Sequence, residues 1–164
     1  MLPARPPRLL VFRPVTNNPV YHFFHTPGNA GPLVLRMATA SVFFVHGTQK
    51  ALGWFGGIGW HRTVETWTSV TGLGLPVVSA PLVMVAELVI CAGLFLGFFT
   101  RLAGIGAAAV MSGALFAIAK TSPVFLDLEF PLMVWAAGLA LFCIGGGALS
   151  IDRAISKNLL PLVG

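Results

Sequence analysis

The chain has 164 residues, of which 56% are hydrophobic and only 9% are charged. Soluble domains carry about 25% charged residues, so this composition excludes a soluble enzyme, a disordered tail and a disulfide scaffold. Ten basic and five acidic residues give a formal net charge of +5. The basic residues form no continuous run, so we assign them to membrane orientation rather than to nucleic-acid binding.

Residues 1–30 form a Pro- and Arg-rich arm ahead of the first long apolar segment. The apolar stretch 9–12 inside this arm is too short for a signal peptide. The composition therefore predicts an extended arm that stays on the mature protein. We expect the arm to contact other membrane protein subunits.

Four apolar stretches follow, and each is long enough to cross a bilayer as a helix. We place these spans at about residues 32–52, 77–98, 102–119 and 129–149. The second carries a GxxxG pattern at Gly93 and Gly97, and the third is built from small residues; both features favour close helix packing in membranes. The sequence thus predicts an all-α integral membrane protein with a bundle of four transmembrane helices.

The segment between the first two spans, residues 53–76, is rich in Gly and Trp. Trp60, Val64, Trp67 and Thr71 recur in it at helical spacing, which predicts a short helix. Because Trp is favoured at the membrane interface, we expect this helix to lie in the headgroup layer. The predicted anchors are Trp54, Trp60 and Trp67.

The bundle and its helix connections are expected to form one domain over residues 31–153, followed by a short amphipathic tail at 154–164. Ile151, Ile155 and Leu159 fall on one face around this tail. Six basic residues lie on the side of the termini and three on the other, which predicts two cytoplasmic termini in a bacterial inner membrane. The six are Arg5, Arg8, Arg13, Arg101, Arg153 and Lys157, and the three are Lys50, Arg62 and Lys120.

Ionisable residues inside a span are costly and indicate function by default. Arg36, His46 and Lys50 share one face of the first span, and Glu87 lies near the middle of the second. Two interpretations stay open. In the first, Glu87 pairs with Arg36 or bonds to His46 and only fixes helix register. In the second, a ladder of polar groups through the bundle carries protons or binds the polar head of a quinone-like substrate. The ladder consists of Arg36, Glu87, His46, Lys50 and Glu129, with Glu87 between Arg36 and His46 in depth.

The remaining polar residues favour structural roles. Lys50 and Glu129 both fall at the same membrane boundary, which predicts an ion pair between them. Arg101 and Asp152 are likewise assigned to structural or ion-pair roles. No His, Cys or carboxylate set has metal-ligand spacing, so we expect no metal and no covalently bound cofactor, and only quinone or lipid as bound molecules.

Several short motifs, taken together, resemble the DoxX family. They are Arg36 to Gly53 with His46-Gly47 and Lys50, Ala86-Glu87-Leu88, Gly93 to Gly97, Thr100-Arg101, and the closing Gly145 to Asp152. The resemblance covers about residues 33–153 and leaves the N-terminal arm outside. It implies a four-helix integral membrane protein.

The resemblance implies two functions. Some DoxX-like proteins are the membrane subunit of a thiosulfate:quinone oxidoreductase, and others belong to redox complexes. We therefore expect an accessory, non-catalytic subunit of a larger bacterial membrane redox complex, respiratory or photosynthetic. The alternative is the membrane subunit of a quinone-linked oxidoreductase, with Glu87 and His46 as proton-transfer candidates and Arg36 as their charge partner.

Overall fold

The computed structural model describes residues 19–69, 73–121 and 124–159, and this part of the chain contains seven α-helices. A single 3-10 turn, Trp54–Gly56, follows the second helix. The helices are α1 (Pro19–Phe24), α2 (Gly31–Leu52), α3 (Gly59–Thr68), α4 (Ser79–Leu96), α5 (Thr100–Thr121), α6 (Phe125–Ile144) and α7 (Ile151–Leu159).

The long helices α2, α4, α5 and α6 run alternately up and down and form a bundle. Its core contains Phe43, Leu94, Met111 and Leu141, one from each helix. The closest crossing is between α5 and α6, where a Cβ on Gly104 would lie 2.7 Å from the carbonyl oxygen of Gly138. The predicted close packing of the small-residue segment is therefore present, because only glycine lets the two backbones approach so far.

Three of the described helices are long and apolar enough to cross a membrane: α4, α5 and α6. The protein is therefore an all-α membrane protein with several spanning helices. α2 is 22 residues long but carries the basic residues Arg36 and Lys50 and is not among the three, so the fourth span stays a prediction.

Two helix ends are fixed by glycines in the left-handed region. α2 ends at Gly53 (φ 73°) and α4 ends at Gly97 (φ 65°), a conformation that glycine adopts without strain. The interpretation of Gly93 and Gly97 as a helix-crossing face was therefore wrong for Gly97, which terminates α4 instead.

The short helix predicted between the first two spans is present as α3, while Thr71 lies outside the described residues. Its location in the headgroup layer stays a prediction. The fourth predicted span was misplaced: α6 begins at Phe125, includes Glu129, and ends before the loop of Gly145, Gly146 and Gly147. Pro131 lies inside α6, so this proline does not mark the start of the helix.

Both ends of the chain differ from the simplest prediction. Within the arm, residues 19–24 form the helix α1 rather than an extended segment, while residues 1–18 lie outside the described part. α7 is helical as the tail pattern indicates, but it turns Asp152 and Ser156 inward and leaves Ile151 40% exposed. α1 packs against α7, so the first and last described helices meet at one end of the bundle, which we call the termini-side end.

Candidate functional site

A buried ion pair joins α2 to α4 near the end of the bundle that lies away from the termini. Lys50 in the last turn of α2 donates to Oε1 of Glu87 in the middle of α4. The Glu87 side chain is 1% exposed and that of Lys50 is 26% exposed. Of the two carboxylate oxygens of Glu87, Oε2 has no hydrogen-bond partner.

The pairing follows from a close approach of the two helices. A Cβ on Gly47 would lie 3.4 Å from the Cβ of Glu87 and 3.1 Å from Leu88, so Gly47 allows α4 to pack closely at this level. Lys50 lies about one turn further along α2 and reaches the carboxylate. The predicted pairing of Lys50 with Glu129 was wrong, because Glu129 lies on an exposed part of α6 while Glu87 is buried beside Lys50.

Arg36 does not take part in this site. Its guanidinium lies against Gly97 at the other end of α4, ten residues from Glu87, which corresponds to about 15 Å along a helix. The predicted pair of Arg36 with Glu87 is therefore excluded. The register of α4 places Glu87 level with Gly47, rather than between Arg36 and His46 as the sequence indicated.

Two cavities share the Lys50–Glu87 pair as part of their walls. Cavity A, of about 190 Å³, lies between α4 and α5 and is covered by Trp67 of α3 and by Leu73 and Leu75 of the following loop. Ser79 and Gly113 also line it. Cavity A is thus mostly apolar, with a charged pair, a hydroxyl and an indole in its wall.

Cavity B, of about 140 Å³, lies on the side of α6 and brings His46 to the same ion pair. The His46 ring lies 6.0 Å from the ring of Phe130, and Pro131 completes this wall. A water molecule needs about 10–15 Å³ of such space and two to four polar partners. Cavity B has room for water, and the polar groups in its wall are those of His46, Lys50 and Glu87.

The polar residues at the termini-side end make a different arrangement. Asp152 accepts the backbone N–H groups of Phe99 and Thr100, each at 2.8 Å, and so caps the start of α5. Arg36 Nη2 donates to the carbonyl of Leu149 at 3.0 Å. Arg101 donates to four carbonyl oxygens, those of Phe23, His25, Phe142 and Cys143.

This end also uses a residue that the sequence analysis missed. Thr26 Oγ1 accepts the N–H of Gly147 at 2.7 Å and donates to the carbonyl of Ile144 at 3.3 Å. It therefore ties the segment after α1 to the glycine-rich loop. Thr26 gave no signal in the sequence, because it precedes a proline in a segment without helical or strand periodicity.

The sequence also missed the cavity-lining roles of Trp67, Ser79 and Gly113. Trp67 was predicted to be an interfacial anchor, and its contact with cavity A adds a second role. Trp54 and Trp60 are 53% and 41% exposed and stay predicted anchors.

Within the described residues, no three His, Cys, Asp or Glu side chains converge as a metal site would require.

The fold and these sites define a multi-pass membrane protein with a buried carboxylate–ammonium pair beside two small cavities. Residues 31–120, more than half of the chain, match the DoxX family, and the chain belongs to that family. It is 29% identical over 128 residues to the protein named "Putative oxidoreductase CatD" of Bacillus subtilis (strain 168), with 78% of this chain and 89% of that protein covered. No solved structure matches the chain significantly.

Proposed function

We propose that this protein is the quinone-binding membrane subunit of a larger bacterial redox complex, with the quinone head in cavity A. The observation that carries the proposal is Glu87: its carboxylate is buried, and one oxygen is held by Lys50 while the other has no partner. A buried polar atom without a partner is costly, and here it belongs to a residue that lines cavities. The word oxidoreductase in the name of the Bacillus relative agrees with a redox role.

The size and walls of cavity A suit the head of a quinone rather than a whole molecule. Ligand pockets for drug-sized molecules have about 300–1,000 Å³, whereas cavity A has about 190 Å³. Its apolar walls and Trp67 can stack on a planar ring. Lys50 can donate a hydrogen bond to a carbonyl oxygen of the ring, which adds specificity in an otherwise apolar pocket.

Reduction of a quinone to a quinol takes up two electrons and two protons. In this proposal a redox centre of a partner subunit supplies the electrons. Starting from the carboxylate of the ion pair, Glu87 takes up a proton through the waters of cavity B, with His46 as the next group, and passes it to one ring oxygen. A second proton follows the same route to the other ring oxygen, so Glu87 ends as the carboxylate with which it began.

The proposed location is a bacterial inner membrane with both termini on the cytoplasmic side. α1 and α7 lie together at one end of the bundle. Arg101, Arg153 and Lys157 lie at that end. The topology predicted from the sequence assigns the basic residues of the N-terminal arm to the same side of the membrane. Basic residues favour the cytoplasmic side. We further propose that the arm contacts partner subunits.

A second candidate is an accessory subunit without chemistry of its own. The Lys50–Glu87 bond joins α2 to α4, and a buried ion pair can serve only to fix helix register. This candidate predicts that the pair matters for stability and that cavity A takes up no quinone. The two candidates therefore differ in a binding measurement.

The test uses the fluorescence of Trp67, which a bound quinone in cavity A should quench. In a variant with Trp54, Trp60 and Trp135 replaced by Phe, a tailless benzoquinone should quench Trp67 with saturation. Lys50→Met should weaken binding by about ten- to a hundredfold, since a hydrogen bond from a charged group contributes about 1.5–3 kcal/mol. Lys120→Met, which removes an exposed lysine of α5, is the matched control.

Two further measurements decide between the candidates. A Lys50→Met/Glu87→Leu double variant avoids an unpaired buried charge and should stay folded without binding quinone. In the complex with its electron donor, Glu87→Gln should keep quinone binding but slow quinol formation. Unsaturable quenching that is equal in all variants would reject the quinone proposal and leave the accessory role.

A further inference from the structure

A further cavity, of about 260 Å³, lies on the outer side of α7 at the termini-side end of the bundle. We call it cavity C. Its walls are formed by Leu149, Ser150, Arg153, Ala154 and Lys157. Two of these side chains are cations and none is acidic. Cavity C shares no lining residue with cavities A and B, so it is a separate space with its own chemistry.

The two cations of cavity C are neighbours on one face of α7. Arg153 and Lys157 are four residues apart, which places their Cβ atoms about 5–6 Å from each other, and like charges at this spacing repel. Asp152, which precedes Arg153, instead accepts the N–H groups that start α5. Among the residues that the structure describes, the ion pair present is Lys50–Glu87, so neither cation of cavity C pairs with a carboxylate.

The Arg153 guanidinium rests on the segment that follows α1. A Cβ on Gly28 would lie 2.2 Å from Nη2 and 2.7 Å from Nη1 of Arg153, so the guanidinium lies directly on the Gly28 backbone. The Ser150 hydroxyl accepts the backbone N–H of Arg153 at 3.2 Å and donates to the carbonyl of Gly147 at 2.9 Å. These contacts fix the position of Arg153, while its side-chain N–H groups bond to no other described residue.

Cavity C lies at the level where two membrane-crossing helices meet. α4 ends at Gly97, whose carbonyl accepts the N–H of Asp152 at 3.0 Å, and α5 begins at Thr100. Both helices are long and apolar enough to span a bilayer. Leu149, in the wall of the cavity, is 83% exposed. An exposed leucine beside two cations is typical of a segment at the membrane interface.

We propose that cavity C binds the phosphate of an anionic membrane lipid. The planar guanidinium of Arg153 can donate two hydrogen bonds to one phosphate, and Lys157 adds a point charge. A phosphate between them offsets the repulsion of the two cations. Leu149 favours a lipid over free phosphate, because its exposed side chain can contact the glycerol and the first carbons of the acyl chains.

The inference goes beyond the proposed function, since cavity C needs no quinone and lies at the other end of the bundle from cavity A. The bound lipid joins two parts of the chain. Its phosphate contacts Arg153 and Lys157 of α7, and the guanidinium of Arg153 in turn rests on Gly28. An anionic lipid therefore holds α7 and the segment after α1 together at the membrane surface.

Native mass spectrometry of the full chain in detergent can compare phosphatidylglycerol with phosphatidylcholine of the same acyl chains. The parent should bind phosphatidylglycerol about 25-fold more tightly, because each basic residue near an anionic lipid contributes about a fivefold preference. Arg153→Gln/Lys157→Gln should lose this preference. Arg62→Gln/Lys120→Gln, which removes one exposed arginine and one exposed lysine at the opposite end, is the matched control and should keep it.

The position of the guanidinium is tested without removing its charge. The added Cβ of Gly28→Ala displaces the Arg153 guanidinium and should weaken phosphatidylglycerol binding about fivefold, with phosphatidylcholine binding unchanged. Gly31→Ala is the control, because a Cβ there meets no atom within 4 Å. Equal phosphatidylglycerol affinities of Gly28→Ala and the parent would overturn the assignment of Arg153 to the phosphate.

Three other results would also overturn the proposal. The parent could show no preference for phosphatidylglycerol, or the control Arg62→Gln/Lys120→Gln could lose as much preference as Arg153→Gln/Lys157→Gln, in which case total charge sets the affinity. Displacement of the lipid by inorganic phosphate at the same concentration would assign cavity C to free phosphate. Quenching of Trp67 by quinone should be equal in Arg153→Gln/Lys157→Gln and the parent, so the quinone proposal stands or fails separately.

Discussion

At the termini-side end of the bundle, Asp152 accepts two backbone N–H groups and Arg101 donates to four carbonyl oxygens. At the opposite end, Glu87 accepts one bond from Lys50 and has one oxygen without a partner. Asp152 and Arg101 use their hydrogen bonds to hold the backbone, so they form a structural cluster. Glu87 has an oxygen free to accept a hydrogen bond beside two cavities, so it forms a candidate binding site.

Unpartnered polar atoms also occur at the termini-side end, and their surroundings show why they do not form a site. Arg36 Nη1 and Thr100 Oγ1 are buried without a hydrogen bond. The first lies against Gly97, and the second lies 2.7 Å from where a Cβ on Gly146 would be. Glycine backbone fills the space that a ligand would need, whereas around Glu87 that space is open.

The largest expected effect is at Gly97. A side chain there would collide with the Arg36 guanidinium, and the position has a φ of 65°. Gly97→Ala should therefore destabilise the protein by about 3 kcal/mol or more, from overpacking and backbone strain combined. Thermal unfolding in detergent measures this loss. An unfolding temperature equal to that of the parent would show that the end near Arg36 is less tightly packed than described.

A smaller loss is expected at Asp152. Asp152→Ala leaves the N–H groups of Phe99 and Thr100 without their acceptor, which should cost about 2 kcal/mol of stability. Asp152→Asn keeps one acceptor oxygen and should lose less. The same unfolding measurement checks both variants. Quinone binding in the Asn variant should equal that of the parent. A loss of binding without a loss of stability would show that Asp152 has a functional role rather than a structural one.

The smallest effect on stability, with a large effect on binding, is expected at Gly113. A Cβ at this position meets no atom within 4 Å, and the residue lines cavity A. Gly113→Leu should therefore change the free energy of unfolding by no more than about 1 kcal/mol while the new side chain blocks the cavity. Unchanged Trp67 quenching in a folded Gly113→Leu variant would place the quinone elsewhere.

Much of the fold could be predicted from residue patterns. Apolar runs of sufficient length indicate membrane helices whatever their partners, and the spacing of Trp60, Val64 and Trp67 predicted α3 correctly. The same patterns drew attention to His46, Lys50 and Glu87, because an ionisable residue in an apolar run is unusual whatever it contacts in the folded protein. The four-span count and the roles of the Trp anchors stay predictions.

Contacts between helices could not be predicted in this way. Lys50 was paired with Glu129 because both lie at one predicted boundary, yet it bonds Glu87 because Gly47 lets α4 approach α2 at that level. The tail pattern placed Ile151 and Ile155 on one face of a helix but did not show what that helix would bury. α7 buries Asp152, since the start of α5 offers that carboxylate two N–H groups.

The low share of charged residues, 9%, and the apolar runs were enough to predict a membrane protein and its long helices. They also singled out the few charged residues that lie inside apolar segments. The tertiary structure alone decided which charges meet and where space remains between helices. The physical reason is that a helix forms from bonds between residues four apart, which the local sequence specifies. Ion pairs and cavities depend on the register and separation of segments far apart in the chain, set here by glycines at single close contacts.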